Sequence, residues 1–196
     1  ITEDTQTDAS VAVLAYQKLA SSNDIQVIIG PTWEADTQAV APLVAADGNV
    51  LVAVSSYKTI EDGDFSNMFS TYPPYHYELE SVLDHANEHN TKRFAIVYTD
   101  EFFSELMKDF FVQAASKRGF EVVQIHKQVV GDSDFRTTLA KIKADGSIDG
   151  LYTSLAGDID RGALIKQMKE VGMDLPVYGV SSAESAAMLE AYGEFV

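Results

Sequence analysis

The stretch RFAIVYTDEFFSELMKDFFVQAASKRGFEVVQIH, residues 93–126, reads as a strand, a helix and a second strand. Arg93 to Tyr98 and Glu121 to His126 are short runs rich in β-formers, and Phe102 to Lys117 between them has helical length. Strands joined through a helix lie parallel, and their crossover is right-handed. Outward toward the C-terminus the alternation continues. Helices are expected over Phe135 to Ala144, Asp158 to Val171 and Ala183 to Tyr192, with strands over Ile148 to Thr153 and Pro176 to Val180. Phe135, Leu139 and Ile142 mark one buried stripe, and Leu164, Ile165, Met168 and Val171 mark another.

Outward toward the N-terminus, a helix over Tyr75 to Glu88 follows Pro73-Pro74, and an extended run, Met68 to Tyr72, precedes it. Before a polar loop, Ser55 to Asn67, lie a strand over Val50 to Val54 and a helix from Glu34 to Asp47, with Gly48 as its terminator. Ile25 to Ile29 reads as a buried strand stopping at Gly30-Pro31. A first helix runs from Asp8 to Ser22, with Val11, Leu14, Ala15 and Leu19 on one face. Strands apolar throughout, separated by amphipathic helices, imply α/β architecture with open, doubly wound, Rossmann-like parallel sheets covered on both faces. A boundary falls at the proline pair, giving a first lobe over 1–72 and a second over 73–196. Two clear strands are too few for a stable sheet domain. The first lobe is therefore expected to be incomplete, with the chain an internal piece of a longer one.

With 30 acidic against 14 basic residues the net charge is -16. Such a chain repels nucleic acid and anionic membrane surfaces, and no basic stripe offsets this. The 46% hydrophobic content supports a real core. The sequence has no cysteine, which removes disulfides, thiolate nucleophiles and cysteine-ligated zinc. No apolar run approaches the roughly 20 residues that span a bilayer.

Catalytic signatures are scarce. No nucleophile elbow, phosphate-binding P-loop or dinucleotide fingerprint is present. His85-Ala86-Asn87-Glu88-His89 matches the inverted zinc-peptidase pattern, in which two histidines four apart on a helix hold one ion and the glutamate serves as base. Against that reading, the segment closes a charged helix and has the character of a solvated face. His76 and His126 are isolated. The expectation is a protein with no catalytic residues, no cofactor and no resident metal, the zinc peptidase being a remote alternative.

Several segments, taken in order, resemble one family. They are Asp4-Thr5-Gln6-Thr7-Asp8 before an Ala-rich helix, and Ile28-Ile29-Gly30-Pro31 leading into Asp36-Thr37-Gln38-Ala39-Val40-Ala41-Pro42. Phe94 to Tyr98 with an acidic, aromatic loop after it, Asp134-Phe135, and Leu164-Ile165-Lys166-Gln167 ending at Gly172 complete the set. Nearly the whole chain is similar to type I periplasmic binding proteins, above all the branched-chain amino-acid branch of ABC importers. The resemblance implies two lobes closing on a small polar ligand, an amino acid or related compound. It implies delivery to a membrane ABC permease, in the periplasm or outside the cell, with a lipid anchor as one form of attachment. A sensor ectodomain and the effector lobe of a repressor share the architecture and remain rivals.

In open parallel sheets, ligands bind beyond the carboxyl ends of the strands, where helix N-termini gather. The corresponding loops are Thr32 to Asp36, Ser55 to Thr59, Thr99 to Ser104, Ser154 to Asp158 and Ser181 to Glu184. The resemblance carries ligand-binding roles onto the Tyr57 carbonyl and the Thr59 hydroxyl and amide, an aromatic wall onto Phe103, and an ammonium-gripping carboxylate onto Glu184. Glu34, next to Trp33, stands where the family often has a small hydroxyl residue that holds the ligand carboxylate, and Phe103 where a tyrosine is common. Either Glu34 points to solvent or the ligand presents a cation to it; both departures weigh against a plain aliphatic amino acid. Each residue also has a plainer reading. Trp33 and Phe103 can be packing, Glu34 a first-turn carboxylate facing the helix dipole, and Thr59 a turn residue.

Overall fold

The computed structural model describes residues 1–22, 24–54, 60, 65–180 and 185–195. It contains two compact units, Ile1–Tyr75 and His76–Val196. Both are built on parallel sheets flanked by helices, the α/β architecture that the alternating pattern implies.

In the first unit, α1 (Ala9–Ala20) and β1 (Val27–Ile29) lead to α2 (Glu34–Asp47), β2 (Val50–Ala53) and β3 (Met68–Ser70). Asp8 starts α1 by accepting from the amides of Ser10 and Val11 at 2.8 and 3.1 Å, which occupies donors the first turn leaves free. Gly48 ends α2 at φ 73°, a left-handed stop that costs glycine little. The three strands pair in the order β1-β2-β3, all parallel. The run from Met68 is thus the third strand of this sheet, one more than the sequence pattern made clear.

The packing of this unit corrects two expectations. The buried residues of α1 are Ala12 and Tyr16, and Leu14 is exposed. The helix turns this way because α1 packs on α2 and the Tyr16 ring reaches its far end, where the hydroxyl meets Asp47 at 3.3 Å. Strand β1 is not buried on both faces. Ile28 enters the core with Val40, Val44 and Leu51, while Val27 and Ile29 are exposed. A run of apolar residues signals strand formation, but burial needs a cover on each face, and the helices packed on this core lie to one side of β1.

The second unit runs α3 (Tyr75–Glu88), β4 (Arg93–Thr99), α4 (Phe102–Lys117), β5 (Glu121–Gln128), α5 (Arg136–Asp145), β6 (Gly150–Ser154), α6 (Asp158–Glu170), β7 (Val177–Gly179) and α7 (Ala186–Tyr192). Its four strands are parallel in the order β5-β4-β6-β7. All five residues of β6 are buried, as expected for an inner strand covered on both faces. On one face Ala95, Val97 and Leu151 meet Phe135, Leu139 and Leu164. On the other, Phe111 stacks on Tyr152 at 3.9 Å and meets Phe94 edge-on at 5.1 Å. Gln167 fixes the entry to α5: it accepts from the Phe135 amide and donates to the Ser133 carbonyl, both at 2.8 Å. Gly150 is required by close packing, since a Cβ there would lie 2.4 Å from the Thr91 methyl.

Candidate functional site

Chain order and spatial order part company in the second unit. From β4 the chain moves outward to β5, then returns past β4 to β6. The carboxyl ends of β4 and β6 therefore flank a switch point, where the two following connections leave in opposite directions and open a crevice. The loops there are 99–101 and 155–157. One bond ties them: the Ala156 amide donates to the Thr99 hydroxyl at 3.1 Å. Thr99 itself is buried.

Polar groups gather near this end of the sheet. Thr153, Ser154, Ser104 and Arg161 are all buried. The hydroxyls of Ser104, Ser154 and Tyr152 lie fully inside without a hydrogen-bond partner. An Arg161 nitrogen donates to the Leu155 carbonyl at 3.3 Å. Burial drives the Tyr152 phenol far above its ordinary range, reinforced by the charge of Glu78 and opposed by that of Arg161. Tyr152 thus stays a neutral hydroxyl. Ser104 and Ser154 stand at the ends of two loops that the sequence singles out, Thr99 to Ser104 and Ser154 to Asp158; Tyr152, Thr153 and Arg161 lie outside those loops and sequence reasoning missed them.

Phe103 occupies the first turn of α4, directly after β4, and is half-buried. The amides expected there for a ligand carboxylate are already used. Glu101 caps α4 by accepting from the amides of Phe103, at 2.9 Å, and Ser104. A second acid sits at the start of α6. A Cβ on Gly157 would lie 2.3 Å from an Asp160 oxygen, so that carboxylate leans over the first turn of a helix whose N-cap glycine offers no side chain. Burial raises the Asp160 carboxyl; Arg161 pulls it down and Asp132 pushes it up.

In the first unit, Trp33 is the N-cap of α2 and supplies no side-chain cap. Its ring is 54% exposed and lines a cavity of about 330 Å3 beside β1, with Thr5, Tyr16, Ile28, Gly30 and Thr32. Glu34 and Asp36 occupy the first turn of α2 and both are buried. The Thr5 hydroxyl donates to Asp36 at 2.7 Å, and the Tyr75 hydroxyl donates to Glu34. Of the two fates foreseen for Glu34, exposure to solvent is excluded: only 4% of the residue is accessible. A carboxylate buried this deeply needs a donor, and Tyr75 is one.

Trp33 and Glu34 are thus brought together at one helix start, and Phe103 stands at another. Tyr57, Thr59 and Glu184 lie outside the described residues. His85, Glu88 and His89 are exposed at the end of α3, in keeping with a solvated face. Among the described residues no helix is long and apolar enough to cross a membrane.

Several solved structures share this architecture. An ABC transporter substrate-binding protein from Sphaerobacter thermophilus superposes with a TM-score of 0.86 at 17% identity, over 99% of this chain and 54% of its own. A solute-binding protein of an ABC transporter from Rhodopseudomonas palustris, solved with p-hydroxybenzoic acid, gives 0.82 at 17% identity, over 99% and 54%. A leucine-binding protein from Thermotoga maritima gives 0.79 at 17% identity, over 98% and 55%. At such identities the likeness is one of fold, and the chain spans about half the length of each of these structures. Among curated proteins none matches. Residues 1–195 match the family model described as periplasmic binding protein, and the chain belongs to that family.

Proposed function

We propose that the protein is the solute-binding component of an ABC uptake system, periplasmic or extracellular. It catalyses nothing. It holds a small ligand that presents a cationic nitrogen, an amino acid or a related amine, in a cleft between two lobes, and their closure is what a membrane permease reads. Trp33, Tyr57, Thr59, Phe103 and Glu184 are the proposed contacts, and Glu34 sets the charge of its surroundings.

One observation carries the choice of ligand charge. Acids stand at several of the described helix starts at the carboxyl ends of these strands, Glu34 and Asp36 on α2, Glu101 on α4 and Asp160 near the start of α6, whereas the first turns of α5 and α7 carry none. These carboxylates take up the positive ends of the helix dipoles, so a second anion gains little there and a cation is attracted. An aromatic acid such as p-hydroxybenzoate offers them only a neutral phenol and brings a carboxylate of its own, whereas an amino acid has its ammonium. The exposed Trp33 ring adds a face on which a cation or an apolar body can rest.

A thermal-shift screen tests the reading with amino acids, polyamines and hydroxybenzoates. A ligand present at a hundredfold its Kd stabilises by ~2.7 kcal/mol. Shifts with amino acids or amines, and none with p-hydroxybenzoate, are expected. A shift with the aromatic acid alone would sink the cationic ligand while leaving solute binding intact. Silence across all three classes would count against solute binding of this kind.

A further inference from the structure

The end of α3 carries a second group of ligating side chains, none of them among the proposed solute contacts. His85, Glu88 and His89 each direct one donor atom so that all three lie within 4.8 Å of one another. Spacing of three and four residues puts them on one helical face. All three are exposed, open to a free ion from solvent. We propose that they form a surface site for a first-row divalent transition ion of the zinc class.

Three features of the site favour an ion of that class. First, the ligand set is two imidazoles and a carboxylate, which suits zinc and its neighbours and discriminates against magnesium and calcium, whose sites are built from oxygen. Donor atoms sharing a tetrahedral zinc sit about 3.3 Å apart at bond lengths near 2 Å, so small rotamer changes of exposed side chains close the set.

Second, the histidines are oriented in advance. The Nδ1 of His89 lies 2.8 Å from the His85 carbonyl oxygen. A carbonyl only accepts, so Nδ1 carries the proton and Nε2 keeps its lone pair for a metal. This is the outer-shell arrangement that fixes metal-bound histidines elsewhere. The His85 and His89 rings lie 4.1 Å apart, and the Tyr178 ring flanks His85 at 6.1 Å. Tyr178 is itself anchored, its hydroxyl 3.0 Å from that of Thr91.

Third, the electrostatics favour a cation. The site closes the C-terminal turn of α3, where the helix dipole is negative, and Asn90 ends the helix at φ 59°. The chain's charge of -16 raises the local concentration of cations further. The neighbouring bases on this side are engaged: Lys92 with Asn87 and Arg118 with Asp84. Three protein ligands leave a coordination position open, but an exposed helix face provides no wall for a peptide, so this is a binding site and not a peptidase.

Zinc titration of the full chain by calorimetry, in excess magnesium, decides the matter. One ion per chain is expected. His85→Ala or His89→Ala should weaken it by about tenfold or more, since losing a direct ligand costs at least what losing its outer-shell partner does. Glu88→Gln should weaken it less, and His76→Ala not at all. Unchanged affinity in the His85→Ala/His89→Ala double variant, or no uptake by the parent, would overturn the proposal. The unsubstituted protein gives an independent readout: Cu2+ should broaden the NMR ring signals of His85 and His89 before those of His76 and His126. The reverse order would also overturn it. Solute binding should be the same with and without zinc, which keeps this outcome separate from the transport reading.

Discussion

The Tyr75 hydroxyl donates to the Glu34 carboxylate, joining residues 41 apart in sequence. Both are buried. The bond explains how an acid survives inside the first turn of α2, where the helix dipole adds further stabilisation.

Tyr75→Phe removes that donor and leaves the ring. A hydrogen bond to a buried charged group contributes about 1.5–3 kcal/mol, and the variant should lose a similar amount of stability. Glu34→Gln keeps an acceptor oxygen for the hydroxyl and should cost less. Urea unfolding checks both, through a lower midpoint at unchanged slope. A Tyr75→Phe protein as stable as its parent would mean that the hydroxyl contributes nothing net.

How much of this was legible in the sequence depends on the range of the interaction. The helices Phe102–Lys117 and Tyr75–Glu88 stand where local pattern puts them, and Gly48 ends α2 as its position before a β-rich run suggests. Those signals are local. The buried face of α1 was misread because Leu14 is more apolar than Ala12, whereas the neighbouring helix selects the face carrying Tyr16. The exposure of Ile29 was equally out of reach, since a strand's own residues do not tell which of its faces has a cover. Glu34 and Arg161 look like surface residues in sequence; their burial rests on Tyr75 and on the Leu155 carbonyl, partners that no local pattern shows.

Glu101 is the cap of α4, and its carboxylate meets two first-turn amides. Glu101→Ala should cost about 0.5–2 kcal/mol, the usual range for a lost N-cap. It should also release those amides toward the crevice. The variant should therefore bind acidic solutes better than the parent while melting at a lower temperature. A thermal-shift series with and without p-hydroxybenzoate reads both effects, and a gain in stability would contradict the capping role.

His126 links stability to pH. Burial lowers its pKa below the ordinary 6.5, and the charge of Lys141 lowers it further. Its Nε2 faces the Gln124 side-chain oxygen at 2.7 Å. Between the folded and unfolded pKa values the unfolded chain binds more protons, so stability rises with pH in that window. The contribution is fully present above about pH 6.5 and is lost as pH falls through the folded value. His126→Gln should lose less stability than the parent between pH 7.5 and pH 5. Comparing the two proteins at each pH cancels the carboxylates they share, and equal losses would remove His126 as a titrating element.

Thr99 tests the crevice itself. Its hydroxyl accepts the Ala156 amide at 3.1 Å and so holds loop 155–157 to the end of β4. Thr99→Val preserves shape and removes the acceptor. Ala156 is exposed, so its amide can turn to water, and the stability cost should be only about 1 kcal/mol. The effect on binding should be larger, because a loop freed from its tether must be ordered again when solute enters. We expect solute affinity to fall several-fold in Thr99→Val and to return in Thr99→Ser, which restores the hydroxyl. Equal affinity in all three proteins, at matched stability, would show that the tether does not organise the ligand crevice and would shift attention to the loops at 55–59 and 181–184.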